Sequence, residues 1–132
     1  KQGDQITLTD GKGMVFESVI LDANPKKASL KILSKKEAET DSFLIHLAIA
    51  PTKNPDRMEW MVEKITEIGF HELTLIETMN SERSFLKTDR LQKKIISACK
   101  QSIKFRTPIL NSGIKFNDLI KSPEFNDFEK FI

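Results

Sequence analysis

Hydrophobic positions along the chain follow two rhythms, and the change between them falls near residue 40. From Ile6 to Ser34 the apolar residues come in short runs. Ile6 and Leu8 alternate with polar neighbours, Val15 to Leu21 forms a second run, and Leu30 and Ile32 alternate in a third. Asp10-Gly11-Lys12-Gly13 and Ala23-Asn24-Pro25-Lys26-Lys27 separate the runs with strong turn chemistry. The pattern predicts three short strands, as in a small barrel or meander. Three strands alone are marginal, so partner strands are expected upstream.

Lys35 to Ser42 (KKEAETDS) is polar and charged and reads as a linker. Phe43 to Ala50 (FLIHLAIA) is almost continuously apolar, as expected of a strand covered on both faces. Asn54-Pro55 then supplies a helix cap and a proline at the first helical position. Met58, Met61, Val62, Ile65 and Ile68 recur at helical spacing until Gly69 stops the helix. Glu72 to Glu77 reads as the next strand. After the loop TMNSERS, a second helix is predicted from about Thr88 to Lys104, with Leu91, Ile95, Ala98, Cys99 and Ser102 inward and Pro108 closing it. A further strand is expected to begin at Phe131-Ile132. Alternating strands and helices predict a parallel sheet in an α/β domain. So short a sheet is unfinished, and the sequence reads as cut at both ends.

Composition narrows the setting. Within 132 residues, no apolar run approaches the roughly 20 residues that span a bilayer, and no basic-then-apolar leader opens the chain. One cysteine, Cys99, excludes an internal disulfide framework, and two distant histidines, His46 and His71, argue against a zinc site. A reducing cytoplasm is the natural setting. Net charge is only +2, but its distribution is uneven. Between Arg83 and Arg106 stand eight basic residues (Arg83, Lys87, Arg90, Lys93, Lys94, Lys100, Lys104, Arg106) against one acid, Asp89. That suits a polyanion partner. A solvated helix face is the plainer alternative, and charge alone does not separate the two.

In open parallel sheets, ligands bind beyond the carboxyl ends of the strands. Those ends are Pro51 to Asn54 and Thr78 to Ser84. The second carries Asn80, Ser81, Glu82, Arg83 and Ser84, and a guanidinium there suits a phosphate or carboxylate; a solvated turn is the alternative. On the first helix Arg57, Trp60, Lys64 and Glu67 form a stripe opposite the apolar face. Its tryptophan suits stacking on a base or seating a neighbouring domain or subunit, against covering the sheet edge with Lys64 and Glu67 as an ordinary surface pair. On the second helix Lys93, Lys100 and Lys104 share a face beside Arg90 and Gln101, suited to backbone phosphates. Cys99 reads as a buried structural thiol and His46 as a satisfied core histidine. A glycine-rich phosphate loop, a Ser-His-Asp set and a metal-ligand cluster are all absent from the sequence.

Three blocks in order carry a family resemblance: KNPDRMEWMVEKITEIGF (Lys53 to Phe70), SERS (Ser81 to Ser84) and ACKQSIKFRTP (Ala98 to Pro108). Together they resemble the RsmE family, ribosomal RNA small-subunit methyltransferases acting on the N3 of a uridine. The resemblance covers most of Phe43 to Leu110. It implies a partial SPOUT-type domain, the α/β knot methyltransferase fold, over residues 41–132. Residues 1–40 would be the later part of a PUA-like β-barrel that binds RNA. It also implies a cytoplasmic homodimer using S-adenosylmethionine in the complete enzyme, with small-subunit ribosomal RNA or the small ribosomal subunit as partner and neither metal nor membrane.

By the resemblance, Lys53 and Arg57 match a basic pair at the start of the first helix. Lys64, Glu67 and Gly69 match K-x-x-E-x-G, Glu82, Arg83 and Ser84 match the E-R-S loop, and Gln101 matches A-x-x-Q. Arg83 is then expected to give electrostatic help in catalysis. Lys64, Glu67, Glu82, Ser84 and Gln101 would brace the site or position substrate. Lys53, Arg57, Lys87, Arg90, Lys93, Lys100, Lys104 and Arg106 would contact RNA. Lys100 replaces an acid usual before the glutamine, and Lys104 a usual arginine. The family's G-P-E-G-G loop and L-x-x-R-I-L-R-x-E-T-A segment, which supply most of the donor pocket, have no counterpart. The chain is therefore expected to bind the donor weakly or not at all and to be inactive alone. A non-catalytic RNA-binding adaptor is the alternative from another class.

Overall fold

The computed structural model describes residues 1–79, 88–126 and 129–130. They fall into two compact units, Lys1–Ser42 with Ile103–Thr107 and Phe43–Ser102 with Pro108–Ile132. The first unit is an antiparallel sheet of β1 (Gln5–Thr9), β2 (Met14–Asp22) and β3 (Ser29–Glu37), in that order. Alternation places Ile6, Leu8, Phe16, Ile20, Leu30 and Ile32 on one face, with a register shift beside Glu17 and Ser18. The β1–β2 turn is built as its residues dictate. The Asp10 carboxylate accepts from the amides of Lys12 (2.7 Å) and Met14 (3.1 Å), and Gly11 and Gly13 supply positive φ values of 73° and 104°. β3 runs further than the sequence predicted. Lys35, Lys36 and Glu37, read as the start of a linker, pair with Phe16, Val15 and Met14.

The segment Ile103–Thr107 returns to this turn. Gly13 N–H donates to Phe105 O (3.0 Å) and Thr107 N–H to Gly11 O (2.8 Å). Arg106 donates through Nη1 to Lys12 O (2.7 Å) and through Nη2 to the Glu37 carboxylate (3.2 Å). The absence of a side chain at Gly13 admits the guanidinium, since a Cβ there would fall on it.

The second unit holds β4 (His46–Ile49), α1 (Pro55–Ile68), β5 (Glu72–Glu77), α2 (Thr88–Gln101) and β6 (Ile109–Lys115), then the short helices α3 (Phe116–Leu119) and α4 (Pro123–Asn126). The sheet is parallel, in order β4-β5-β6. Sequential parallel strands joined by same-handed crossovers put both helices on one face. There Met58 and Val62 of α1, Leu91 and Ile95 of α2, and Leu73 and Leu75 of β5 form the core, flanked by Leu47, Ile49 and Leu110. Each such side chain contributes about 1.5–3 kcal/mol by leaving water. The first helix begins and ends where its residues say. Asn54 Oδ1 accepts from the amides of Asp56 and Arg57, and Gly69 closes it at φ 112°.

Two further expectations need correction, and one strand went unread. The third parallel strand is Ile109–Lys115, which the sequence reading left out, while the strand expected at Phe131-Ile132 lies outside the described residues. Helix α2 stops at Gln101 instead of Lys104: the Ser102 amide makes a last helical bond to Ala98 O (2.9 Å), shared by its hydroxyl (2.7 Å), and Ile103 then turns to φ 55°. The first parallel strand is shorter than FLIHLAIA suggested. Phe43 and Leu44 are exposed, and only one side of β4 meets the helices. On the other side His46, Glu72, Thr74 and Asn111 form a polar network. His46 Nε2 lies 2.8 Å from Thr74 Oγ1, and Asn111 Nδ2 donates to Thr74 Oγ1 (3.0 Å) and to the Glu72 carboxylate.

Candidate functional site

The charged residues of α1 and α2 divide into two sets. On their facing flanks Glu59 and Glu63, one turn apart, meet Arg90 and Lys94, also one turn apart. Arg90 Nη2 lies 2.7 Å from Glu59 and Lys94 Nζ 3.1 Å from Glu63. Lys64 joins this ladder, 3.4 Å from Glu63 and 3.0 Å from Glu67. The hydrogen bond from Lys94, more than any other contact, holds the Glu63 carboxyl below its ordinary 4.5. The hydrogen bond to Glu67 raises Lys64 above its ordinary 10.5. Such surface pairs contribute little individually, since solvent screens them. Two of them, Arg90 with Glu59 and Lys94 with Glu63, span the helices, whereas Lys64 pairs within α1.

Facing away from the sheet, α2 presents Lys93 and Lys100, both exposed. Of the basic residues predicted on this helix, these two make no ion pair among the described residues, while Arg90 is tied to Glu59 although still 63% exposed. Gln101 is the exposed last residue of α2, and Lys53 is exposed just before the Asn54 cap. Arg57 and Trp60 are exposed on α1, and Lys64 and Glu67 form the predicted pair. Lys104 and Arg106 belong to the first unit, where Arg106 is engaged by Lys12 and Glu37. Glu82, Arg83, Ser84 and Lys87 lie outside the described residues. Cys99 is buried, as its inward position predicted.

At the carboxyl ends of the parallel strands, the sequence reading passed over Glu77. It is the last residue of β5, in register with Lys115, and its Oε1 is buried without a hydrogen-bond partner among the described residues. Its position in an apolar run, LTLIE, was the available signal. Equally legible and unread were the i, i+4 spacings of Glu59 with Glu63 and of Arg90 with Lys94. Among the described residues no cluster of His, Cys, Asp or Glu is placed to hold a metal ion, and no helix is long and apolar enough to cross a membrane.

The chain's likeness to known proteins agrees with this arrangement. A family model of the RNA methyltransferase domain matches residues 39–132. The structure resembles that of a probable rRNA-methyltransferase from Porphyromonas gingivalis, with 38% identity and a TM-score of 0.85 over 94% of this chain. It also resembles a ribosomal RNA small subunit methyltransferase E from Neisseria gonorrhoeae bound to S-adenosyl methionine, with 26% identity and a TM-score of 0.79 over 93% of this chain. This chain covers 53% of each of those two chains, about half their length.

Proposed function

We propose, from the premise that this chain belongs to the RNA methyltransferase domain family, that it is the RNA-docking half of an S-adenosylmethionine-dependent enzyme that methylates a uridine N3 in small-subunit ribosomal RNA. The family match over residues 39–132 carries this reading. The solved small subunit methyltransferase E that resembles the chain supports the choice of RNA and donor. In this reading the three-stranded unit is part of a PUA-like barrel, and the enzyme is a cytoplasmic homodimer.

Among the described residues no glycine-rich cradle for the donor is formed. Of five glycines, three lie in the first unit, Gly69 caps α1 and Gly113 sits within β6, so none makes a glycine-rich loop at a strand end. No step is therefore routed through the donor here. What the chain's own residues do is bind and orient. Lys93 and Lys100 take phosphates, Lys53 and Arg57 extend that contact at the start of α1, and the Lys64–Glu67 pair braces the helix. Lys87, Arg90, Lys104 and Arg106 are assigned to the same RNA surface by resemblance, Arg90 and Arg106 while also holding their acids. Glu82, Ser84 and Gln101 position the substrate, and Arg83 stabilises charge developing on the uracil ring.

The test is methyl transfer from labelled S-adenosylmethionine to unmodified small ribosomal subunits, using the full-length protein that contains this chain. Label on a uridine N3 is the expected result. RNA binding without label on any base would replace the enzyme by a non-catalytic RNA-binding adaptor.

A further inference from the structure

Trp60 sits at the outermost position of α1 with 65% of its surface exposed. An indole joins a broad apolar face to a polar edge, which suits an exposed one to a flat, partly polar partner. The surrounding residues say which kind. On the helix surface its neighbours at three and four positions either way are Asp56, Arg57, Glu63 and Lys64, all charged. A protein interface centred on a tryptophan surrounds it with apolar residues and excludes charge from its middle. The other strongly exposed apolar residue of α1, Ile68, lies at the far end of the helix. Of the carboxylates nearby, Glu63 is answered by Lys94 and Lys64 and Glu67 by Lys64, while Asp56 stands in the first turn of α1. Arg57 is exposed one turn before Trp60 and makes no ion pair among the described residues.

We propose that Trp60 is a base-stacking residue: its indole receives one unpaired RNA base while Arg57, a turn away, holds an adjacent phosphate. A flat aromatic beside a cation is the arrangement that binds single-stranded nucleic acid, because every base has a face to stack whatever its identity. The inference rests on the RNA-docking reading above and adds to it a single-stranded target segment and the residue that recognises it.

The chain carries its own reporter. Trp60 is its one tryptophan and it has no tyrosine, so indole emission reads a single position. The probe is a single-stranded oligouridylate, with duplex RNA of equal length as control and anisotropy of labelled RNA as an independent measure of binding. Saturable quenching by the single strand, with the same midpoint as the anisotropy, is expected. Trp60→Ala should weaken single-strand binding roughly five- to hundredfold, the range for losing one stacked base, and Trp60→Phe should keep most of it. Because the side chain is outside the core, both variants should melt as the parent does. RNA binding with unchanged emission and unaltered affinity in Trp60→Ala overturns the stacking role and leaves RNA docking intact. Emission that depends on protein concentration without RNA, together with a changed oligomeric state in Trp60→Ala, overturns it in favour of a contact between copies. No binding of any RNA overturns both.

Discussion

Ile103 holds a conformation that its side chain opposes. A β-branched residue at φ 55° is strained, and this position after the last turn of a helix is where glycine is favoured. Ile103 is also 72% exposed, so little packing offsets the strain. Ile103→Gly should therefore stabilise the protein, by about 1 kcal/mol, read as a raised thermal midpoint. The opposite sign is predicted at Gly13. A Cβ there meets the Arg106 guanidinium and a backbone at φ 104°, so Gly13→Ala should destabilise by about 1–3 kcal/mol in the same measurement. The two positions also mark where the sequence stopped being legible. Asp10-Gly11-Lys12-Gly13 announced a turn, but nothing local in Ile103–Thr107 announced that this segment pairs with it. Helical propensity continues past Gln101, and the backbone bonds to Gly11 and Gly13 override it.

Helices α1 and α2 are held in register by charge as well as by the core beneath them. The Glu63 carboxyl is lowered in the folded state, so its contribution is present above 4.5 and is lost as pH falls through its folded value. Glu63→Gln should lower the thermal midpoint slightly at neutral pH and flatten its fall below pH 4.5, so that parent and variant converge in acid. Lys64 has the opposite sense. Its contribution is present below 10.5 and fades as pH rises through the raised folded value. At this scale the sequence was most informative where capping and periodicity agreed. Asn54, Pro55 and Gly69 bounded α1 correctly, and the Glu72–Glu77 strand was read to its ends. The strand at Ile109–Lys115 was missed because Asn111, Ser112 and Gly113 interrupt its apolar pattern with residues of low strand propensity. Asn111 is there for a reason that periodicity does not register: it serves the network with Glu72 and Thr74.

The chain as a whole pairs an antiparallel unit with a parallel α/β unit, the second of which carries most of the RNA methyltransferase family match. The three sequence blocks that carried the resemblance were chemical signals, and the structure adds how their charges are apportioned. The run of eight basic residues against one acid between Arg83 and Arg106 looked uniform in sequence. In the folded chain Arg90, Lys94 and Arg106 face acids, and Lys93 and Lys100 point outward. Only spatial partners separate these groups, and Glu59, Glu63 and Glu37 lie too far away in sequence for spacing to pair them.

Binding of the 132-residue chain to a small-subunit ribosomal RNA fragment, followed across a salt series, tests the RNA-docking claim most directly. Binding should weaken steeply with salt, and Lys93→Ala with Lys100→Ala should lower the log–log slope by about 2, one for each phosphate that a lysine no longer neutralises. S-adenosylmethionine should leave the thermal midpoint unmoved. Absent binding, or binding whose salt slope ignores both lysines, would contradict the assignment of this chain as the RNA-docking half.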